Sequence, residues 1–456
     1  MDTICAVSTP HGMGGIAVIR VSGDDSLAMV QQRWKGKPLS EMVSHTVHFG
    51  HIVDSHGEIL DEAVLTVFRA PNSFTGEDVV ELSCHGSMWI QQQVIATLID
   101  AGCRAAAGGE FTRRAFANGK LDLSQAEAVA DVIASQSRAS HHVAMNQMRG
   151  AFSRQLSSLR SQLLQFVSLI ELELDFSEED VSFADRKRLT ALATSIKEVV
   201  DSLAGSYHAG NAIKNGLPVA IVGPTNAGKS TLLNVLLGDD RALVSDIKGT
   251  TRDVIEDTIV MGGTLLRFID TAGIRQSSDV IESMGIERSF KKMDEARIVL
   301  WVIDATAPVG ELEDFYHQIV DHCHGKELIA VINKIDAGSA HDVVKKLNEL
   351  GVKIAQISAR EGIGVEQLKQ DIIETAALPQ VSDENAVIVT NARHYHALVR
   401  ASEALERTLQ GLDAGISGDL VSQDIRECMH YLGEITGEIS TDDILGEIFA
   451  HFCVGK

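Results

Sequence analysis

The sequence predicts a multidomain α/β and α protein: an N-terminal α/β module, a helical domain, and, inserted into that helical domain, a P-loop domain with a doubly wound, mostly parallel sheet. Three observations carry this. Strand-like runs separated by glycine turns fill the first part of the chain, helical periodicity appears near residue 123 and returns after residue 391, and between them near-continuous apolar strands alternate with helical stretches. A length of 456 residues leaves room for about three domains. With 45% hydrophobic and 23% charged residues, the chain is not largely disordered.

In order along the chain, residues 15–21, 63–68 and 79–82 read as strands. His45, His48, His51 and His56 read as surface residues around a strand and turn. After Leu121-Asp122-Leu123-Ser124 the period changes: Ala126, Val129, Ala130, Ile133 and Ala134 recur at helical spacing, with Ser124 as the expected N-cap. The helical pattern continues through Leu159, Leu163, Phe166, Ile170 and Leu174, breaks over residues 175–183, and resumes through Leu189, Leu192, Ile196 and Val200. From Gly216-Leu217-Pro218 onward, strands are expected at residues 219–222, 266–269, 298–303, 328–332 and 353–357, each nearly all apolar, as buried parallel strands require. Beyond Leu378-Pro379 helical spacing returns with Leu398, Leu405, Leu409, Ile425, Met429, Leu432 and Ile435. The helices on either side of the sheet region lack a full apolar partner, so they are expected to pack on each other. The expected domains are 1–118, 119–214, 215–378 and 379–456.

The net charge of −23 repels phosphate backbones at long range, so any nucleic-acid contact must be a local patch or come through a partner. Six scattered cysteines, Cys5, Cys84, Cys103, Cys323, Cys428 and Cys453, form no C-x-x-C pair, which fits a reduced, cytoplasmic setting. No apolar run approaches the ~18 residues of a membrane span, and no basic region leads into an apolar stretch at the start. His317, His322, Cys323 and His324 lack a second ligand pair at zinc spacing and read as part of a helix flanking the sheet.

Gly223-Pro224-Thr225-Asn226-Ala227-Gly228-Lys229-Ser230 fits G-x-x-x-x-G-K-[ST] between an apolar strand and a helical run. There the glycines let backbone amides wrap phosphate oxygens, Lys229 reaches the β/γ-phosphates and the Ser230 hydroxyl ligates Mg²⁺. A glycine-rich structural turn is the alternative, and the strand before, helix after and lysine in register argue against it. Asn333-Lys334-Ile335-Asp336 closes a predicted strand and sets a carboxylate where nucleotides bind in open α/β sheets. A carboxylate accepts the N1–H and 2-amino donors of guanine, and adenine offers neither. Ser358-Ala359, after the next strand, sits where a backbone amide could donate to O6. Asp270-Thr271-Ala272-Gly273 supplies an acid near Mg²⁺ and an amide for the γ-phosphate.

These residues, across about 216–378, resemble the translation-factor-related class of P-loop GTPases. In that comparison Gly249-Thr250-Thr251-Arg252-Asp253 is similar to switch I, with Thr251 the second Mg²⁺ hydroxyl. Ile274 stands where small GTPases carry a water-orienting glutamine, and an aliphatic chain cannot position a nucleophile. The whole chain resembles the MnmE (TrmE) family of tRNA-modifying GTPases. Gly14-Gly15-Ile16 with Arg20-Val21-Ser22-Gly23, the run Pro71-Asn72-Ser73-Phe74-Thr75-Gly76-Glu77-Asp78, Gly109-Glu110-Phe111-Thr112, Leu121-Asp122-Leu123-Ser124-Gln125-Ala126-Glu127-Ala128 and the closing Phe452-Cys453-Val454-Gly455-Lys456 carry the resemblance. Thr225, His11-Gly12-Met13 and Val454 depart from the usual residues without removing a functional group.

The resemblance implies a cytoplasmic homodimer that binds GTP with Mg²⁺ and K⁺. It works with a flavin-using MnmG/GidA-type partner and adds an aminomethyl-type group at C5 of the tRNA wobble uridine, the carbon coming from 5-formyl- or methylene-tetrahydrofolate. Nucleotide contacts would then extend over Asn226, Ala227, Gly228, Lys229, Ser230 and Thr231, over Ser245, Asp246, Ile247, Lys248, Gly249, Thr250 and Thr251, and to Arg360. Asn226 with Ser245, Ile247 and Thr250 would hold K⁺, the charge that replaces an arginine finger. Glu282 would orient water. Arg20, Glu77, Lys120 and Lys456 would bind folate, and Cys453, on a chain end expected to be mobile, would act in or near the chemistry. No G-x-G-x-x-G opens a helix, which leaves redox chemistry to the partner. Two rivals are an RNA-binding ribosome-assembly GTPase, disfavoured by an acid-rich tail with Asp442, Asp443 and Glu447, and a purely regulatory switch.

Overall fold

The computed structural model describes residues 2–175, 186–238, 257–269, 293–376 and 387–439, with 445, 446, 448, 449, 452 and 455. The predicted break over residues 175–183 therefore lies almost wholly outside the described residues. The chain divides into two compact units, one of Met1–Ile133, Met145–Val200 and Ala397–Lys456, the other of Ala134–Ala144 and Asp201–His396.

In the first unit, β1 (Ile4–Val7), β2 (Ile16–Ser22), β3 (Trp34–Lys35), β4 (Thr46–Val53), β5 (Ile59–Phe68), β6 (Val79–His85) and β7 (Arg104–Ala105) form a sheet in the order β3-β4-β5-β6-β2-β1-β7. Its pairs are antiparallel except β1 with β7. The period of two in each strand decides the faces. Ile19, Val21, Leu65, Val67, Val80 and Leu82 turn inward onto Val94 and Leu98 of the helix Met88–Asp100, while the alternate residues, Arg20, Ser22, Val64 and Glu81 among them, share the opposite face. His48 and His51 lie on β4, His45 just before it, and His56 in the turn after it, where Asp54 caps the backbone amides of His56 and Glu58.

The helix Ala151–Asp175 packs against Gly418–Thr436 through buried Leu156, Leu163, Phe166, Ile425 and Leu432. The first helix of the unit's helical part, Leu123–Ala134, starts two residues earlier than the expected cap implies, and with a different cap. Asp122 Oδ1 accepts the Gln125 amide (2.9 Å), and Gln125 Oε1 accepts the Asp122 amide (3.0 Å), a reciprocal capping box. Ser124, the expected cap, lies inside the first turn and bonds Asp122 (2.8 Å) and Ser153 (2.9 Å). A second correction concerns the chain end. Phe449 is buried in a cluster with Leu123 and Ala126, with Phe116 and Phe452 packed against it, and the Gly455 carbonyl accepts the Ser8 hydroxyl (3.1 Å). These described residues are docked, not free.

In the second unit, β8 (Leu217–Val222), β9 (Asp257–Met261), β10 (Thr264–Ile269), β11 (Ile298–Asp304), β12 (Glu327–Asn333) and β13 (Lys353–Gln356) pair in the order β13-β12-β11-β8-β10-β9. All pairs are parallel except β9–β10. That hairpin, absent from the sequence expectation, turns on Gly262-Gly263 at φ +55° and +81°, which suits a two-residue connection. One sheet face packs on Leu232, Leu233 and Leu236 of the helix Lys229–Leu237 and on Leu368 and Ile372 of Val365–Thr375. The other packs on Leu312 and Ile319 of Val309–Ile319 and on Val343 and Leu347 of His341–Glu349. This is the doubly wound arrangement, and it brings the C-terminal ends of β8, β11, β12 and β13 to one edge.

Replacing Asp122 by Ala should cost about 1 kcal/mol in denaturant unfolding, and Asp122→Asn much less, because an amide oxygen still caps. Equal losses for both variants would mean that the ion, not the cap, matters.

Candidate functional site

The loop between β8 and the helix Lys229–Leu237 is shaped by close approaches that only glycine allows. Gly223 has φ +144°, and a Cβ there would fall on the Val302 carbonyl oxygen. Gly228 has φ +95°, and a Cβ there would fall on the Asn333 side-chain nitrogen. Asn226, exposed at the bend, takes φ +61°, a left-handed conformation that asparagine tolerates better than most residues. Lys229 Nζ donates to the carbonyls of Gly223 (2.7 Å) and Pro224 (2.7 Å), and burial pulls its pKa below the usual lysine value. Ser230 and exposed Thr231 open the helix, and Ala227 is buried.

Asn333, at the end of β12 and only 3% exposed, joins this loop to the next one. Its Nδ2 donates to the Ala227 carbonyl (2.9 Å), and its Oδ1 accepts the Ala359 amide (3.0 Å). Lys334 follows at φ +64° and is held by Asp304 at 2.7 Å; Asp304 also accepts the Thr306 amide and hydroxyl. Burial alone would raise the Asp304 pKa, but Lys334 and Thr306 hold it below the usual range. Asp336 is exposed, and a hydrogen bond from the buried Ser358 hydroxyl lowers its pKa, so it stands ionised as an acceptor at the rim. The Ser358 amide donates to the Ile363 carbonyl, the Ala359 amide to Asn333 and the Glu361 amide to the Ser358 hydroxyl, with Arg360 between them. Ser245, Asp246, Ile247, Lys248, Gly249, Thr250, Thr251, Asp270, Thr271, Ala272, Gly273 and Glu282 lie outside the described residues.

In the first unit, Arg20 lies over the rings of Phe74 (5.4 Å) and Phe111 (5.6 Å) and pairs with Glu81 at 2.9 Å across β2–β6. Glu77 has other partners. It is 7% exposed, accepts the Ser22 hydroxyl (2.7 Å), and forms an ion pair with Arg114 (3.1 Å). Arg114 also reaches Glu110 (3.2 Å) and Asp2 (2.6 Å), both of which Arg104 binds in turn. The Arg104 hydrogen bond holds the Asp2 carboxyl below its usual pKa; for Glu110, burial opposes but Arg104 and the Ala107 amide prevail. A cavity of about 360 Å³ beside Glu77 is lined by Asp24, Ala70, Gly76, Asp78 and Asn118. Lys120 donates to the Pro71 carbonyl (2.9 Å), and its stem lies against Gly76. Cys453 and Lys456 lie outside the described residues. Sequence reasoning missed Glu81, Glu110, Arg114 and Asp304. Parity was a signal for Glu81, since Arg20 and Glu81 alternate onto the same sheet face.

His322 bonds Asp294 (2.9 Å), and among the described residues no group of three or more His, Cys, Asp or Glu side chains is arranged to hold a metal. Among them, too, no helix is long and apolar enough to cross a membrane.

Compared with models of protein families, residues 123–453 match the MnmE helical domain, and residues 3–120 match the GTP-binding protein TrmE N-terminus. The chain belongs to the MnmE (TrmE) family. The described P-loop unit falls within the span of the helical-domain match. Similar curated relatives are the tRNA modification GTPase MnmE of Bacteroides fragilis, 54% identical over 100% of this chain and 99% of that one, and that of Parabacteroides distasonis, 53% identical over 100% of both. Among solved structures, Aquifex aeolicus Era bound to GDP.AlF4- is 32% identical, covering 41% of this chain and 66% of that one, at a TM-score of 0.28.

Gly228→Ala should weaken binding of a fluorescent GDP analogue at least about tenfold, since the added methyl and Asn333 cannot share the space; unchanged binding would mean that Asn333 can move aside. Arg114→Met should destabilise the fold by about 3–5 kcal/mol in thermal unfolding followed by circular dichroism, because it leaves Glu77 buried without its ion-pair partner, while Glu110 keeps Arg104.

Proposed function

We propose that this chain is a GTP hydrolase that acts in tRNA modification. With Mg²⁺ and K⁺, and with a flavin-dependent MnmG/GidA-type partner, it adds a (carboxymethyl)aminomethyl group at C5 of the wobble uridine of certain tRNAs. One observation carries the reading: a chain similar to MnmE proteins over its whole length has a formed phosphate loop locked to a guanine-type Asn333-Lys334-Ile335-Asp336 loop. We further propose that it is a cytoplasmic homodimer, with a one-carbon module of about residues 1–118, a helical domain of 119–214 and 379–456, and a GTPase domain of 215–378.

In this mechanism Asp336 accepts the N1–H and 2-amino donors of guanine, and, with the Ala359 amide bonded to Asn333, the donor toward O6 is assigned to the Arg360 amide. Lys229 leaves its carbonyl partners to meet β/γ-phosphate oxygens, which offsets the desolvation of its ammonium. The Ser230 hydroxyl at the helix start, with Thr251, suits Mg²⁺; the exposed left-handed Asn226, with Ser245, Ile247 and Thr250, suits K⁺. When bound, these cations supply positive charge against the transferring phosphoryl group. Glu282 is assigned to orient water, the task Ile274 cannot perform. For the pterin, Glu81 is a second candidate acceptor beside Glu77: each already carries an arginine, Arg20 for Glu81 and Arg114 for Glu77, and Glu81 is the more exposed of the two. Arg20 between two phenyl rings, with Lys120 and Lys456, supplies cations for glutamyl carboxylates.

GTP turnover should be faster in KCl than in NaCl at equal ionic strength; equal rates would remove K⁺ from the mechanism. Asp336→Asn should weaken GTP by about a hundredfold and admit xanthosine triphosphate, whose 2-carbonyl accepts from the new amide; an unchanged base preference would contradict the guanine assignment. In isothermal titration of 5-formyl-tetrahydrofolate into the full chain, Glu81→Gln should weaken binding, and unchanged affinity would return the role to another carboxylate.

A further inference from the structure

In a chain with 63 acidic residues among 456, the two longest stretches that contain none are residues 132–170 and 202–238. The second carries the phosphate loop. The first is 39 residues long and holds Arg138, Arg149, Arg154 and Arg160, none of which takes part in the nucleotide site. A net charge of −23 repels a polyanion from the chain as a whole, so a stretch free of carboxylates is where one can approach.

The structure sorts these charges. Arg138 lies in the second unit and the other three in the first. Arg160 is spent on Glu438. Arg149 and Arg154 are exposed, and among the described residues neither has an acidic partner. Arg154 donates to the Arg149 carbonyl at 2.8 Å, and the helix Ala151–Asp175 starts between them, so both arginines stand at its positive end. Asp122, whose capping box adjoins this start through Ser124 and Ser153, is already bound by Ser124 and Gln125.

The helix then divides by face. Phe152, Leu156, Leu159, Leu163 and Phe166 are buried, whereas Arg154, Ser157, Ser161, Gln165 and Ser168 recur on the opposite, exposed side. Hydroxyl, amide and guanidinium groups are the donors that contact nucleic-acid phosphates, and over about 21 Å of helix no carboxylate interrupts them. Glu171, the first acid beyond, is paired with Arg426.

We propose that Arg149 and Arg154, with the exposed Ser157, Ser161 and Gln165, form the surface on which this chain holds the phosphate backbone of its tRNA. The proposal rests on the reading of tRNA as the substrate and goes beyond it by assigning the surface. Contacts of this kind position the RNA without reading its bases, so they act alike on substrate and non-substrate tRNAs.

Binding of labelled tRNA to the full-length protein, followed by fluorescence anisotropy over a series of KCl concentrations, tests it. Changing Arg149 and Arg154 together to Gln should weaken binding at least about fivefold for every tRNA and flatten the slope of log affinity against log salt by about 2. The double change to Lys should keep the slope. Ser157→Glu with Ser161→Glu, which adds charge at exposed positions, should also weaken binding at least about fivefold. GTP turnover without tRNA and the unfolding midpoint should match the unaltered protein in all three. In cells carrying each variant as the sole copy, C5-modified uridine read by nucleoside mass analysis should fall for the Gln and Glu variants and recover for the Lys variant. Unchanged affinity and slope in the Gln and Glu variants, or no tRNA binding by the unaltered chain at low salt, would overturn the proposal. Lost modification with unchanged tRNA binding would overturn it too, and would give the face to a protein partner. If the unaltered chain restored no modification, the tRNA-modification reading would fail, while the binding contrast would still decide whether this face holds RNA.

Discussion

The nucleotide site depends on one buried amide. Asn333 spans from the phosphate loop to the base loop, with its nitrogen on Ala227 and its oxygen on Ala359, and it fits only because Gly228 has no side chain. Each bond contributes roughly 0.5–1.5 kcal/mol net, but removing the amide would leave a buried carbonyl and a buried N–H unpaired at about 1–3 kcal/mol each. The asymmetry explains why the arrangement is rigid. Because Asp304 and Asn333 are cross-strand partners, the same register that aligns β11 with β12 also sets Asp304 against Lys334 and pins that residue's left-handed backbone. The two loops proposed to recognise phosphate and base are thereby joined, and Asp336 is left exposed at the rim.

The N-terminal module solves a related problem at greater electrostatic cost. Asp2, Glu77, Arg104, Glu110 and Arg114 share one network, most of it withdrawn from water, in which each charge is tolerable only because its partners are present. Its effect is positional: it ties the chain's first residues, the loop before β6 and the helix Glu110–Ala117 together. With those fixed, Arg20 lies against Phe74 and Phe111 and is paired with Glu81 on the same sheet face.

Much of this was legible in the sequence, and the parts that were not share a cause. The phosphate loop, the Asn333–Asp336 loop and the five parallel strands rest on local spacing, so one dimension suffices. Strand β9 was missed although it carries Ile259, Val260 and Met261 and Gly262-Gly263 signalled a hairpin. Ser124 looked like a cap because serine caps helices; Asp122 won because Gln125 reciprocates, which is a three-dimensional fact. Glu77 and Glu81 are both carboxylates in one short run. Only the pairing of Arg20 with Glu81 across β2–β6, and the arrival of Arg114 from a distant helix, separates the structural acid from the accessible one. The docked chain end was likewise invisible, since contact between residues 8 and 455 leaves no periodic trace.

The central proposal is that an Asn333-centred guanine-nucleotide site drives wobble-uridine modification by this chain. The most direct measurement is nucleoside mass analysis of tRNA from cells lacking the protein and supplied with either the unaltered chain or Asn333→Ala. The account predicts that the C5-modified uridine returns with the unaltered chain and not with the variant. Full modification supported by Asn333→Ala would contradict it.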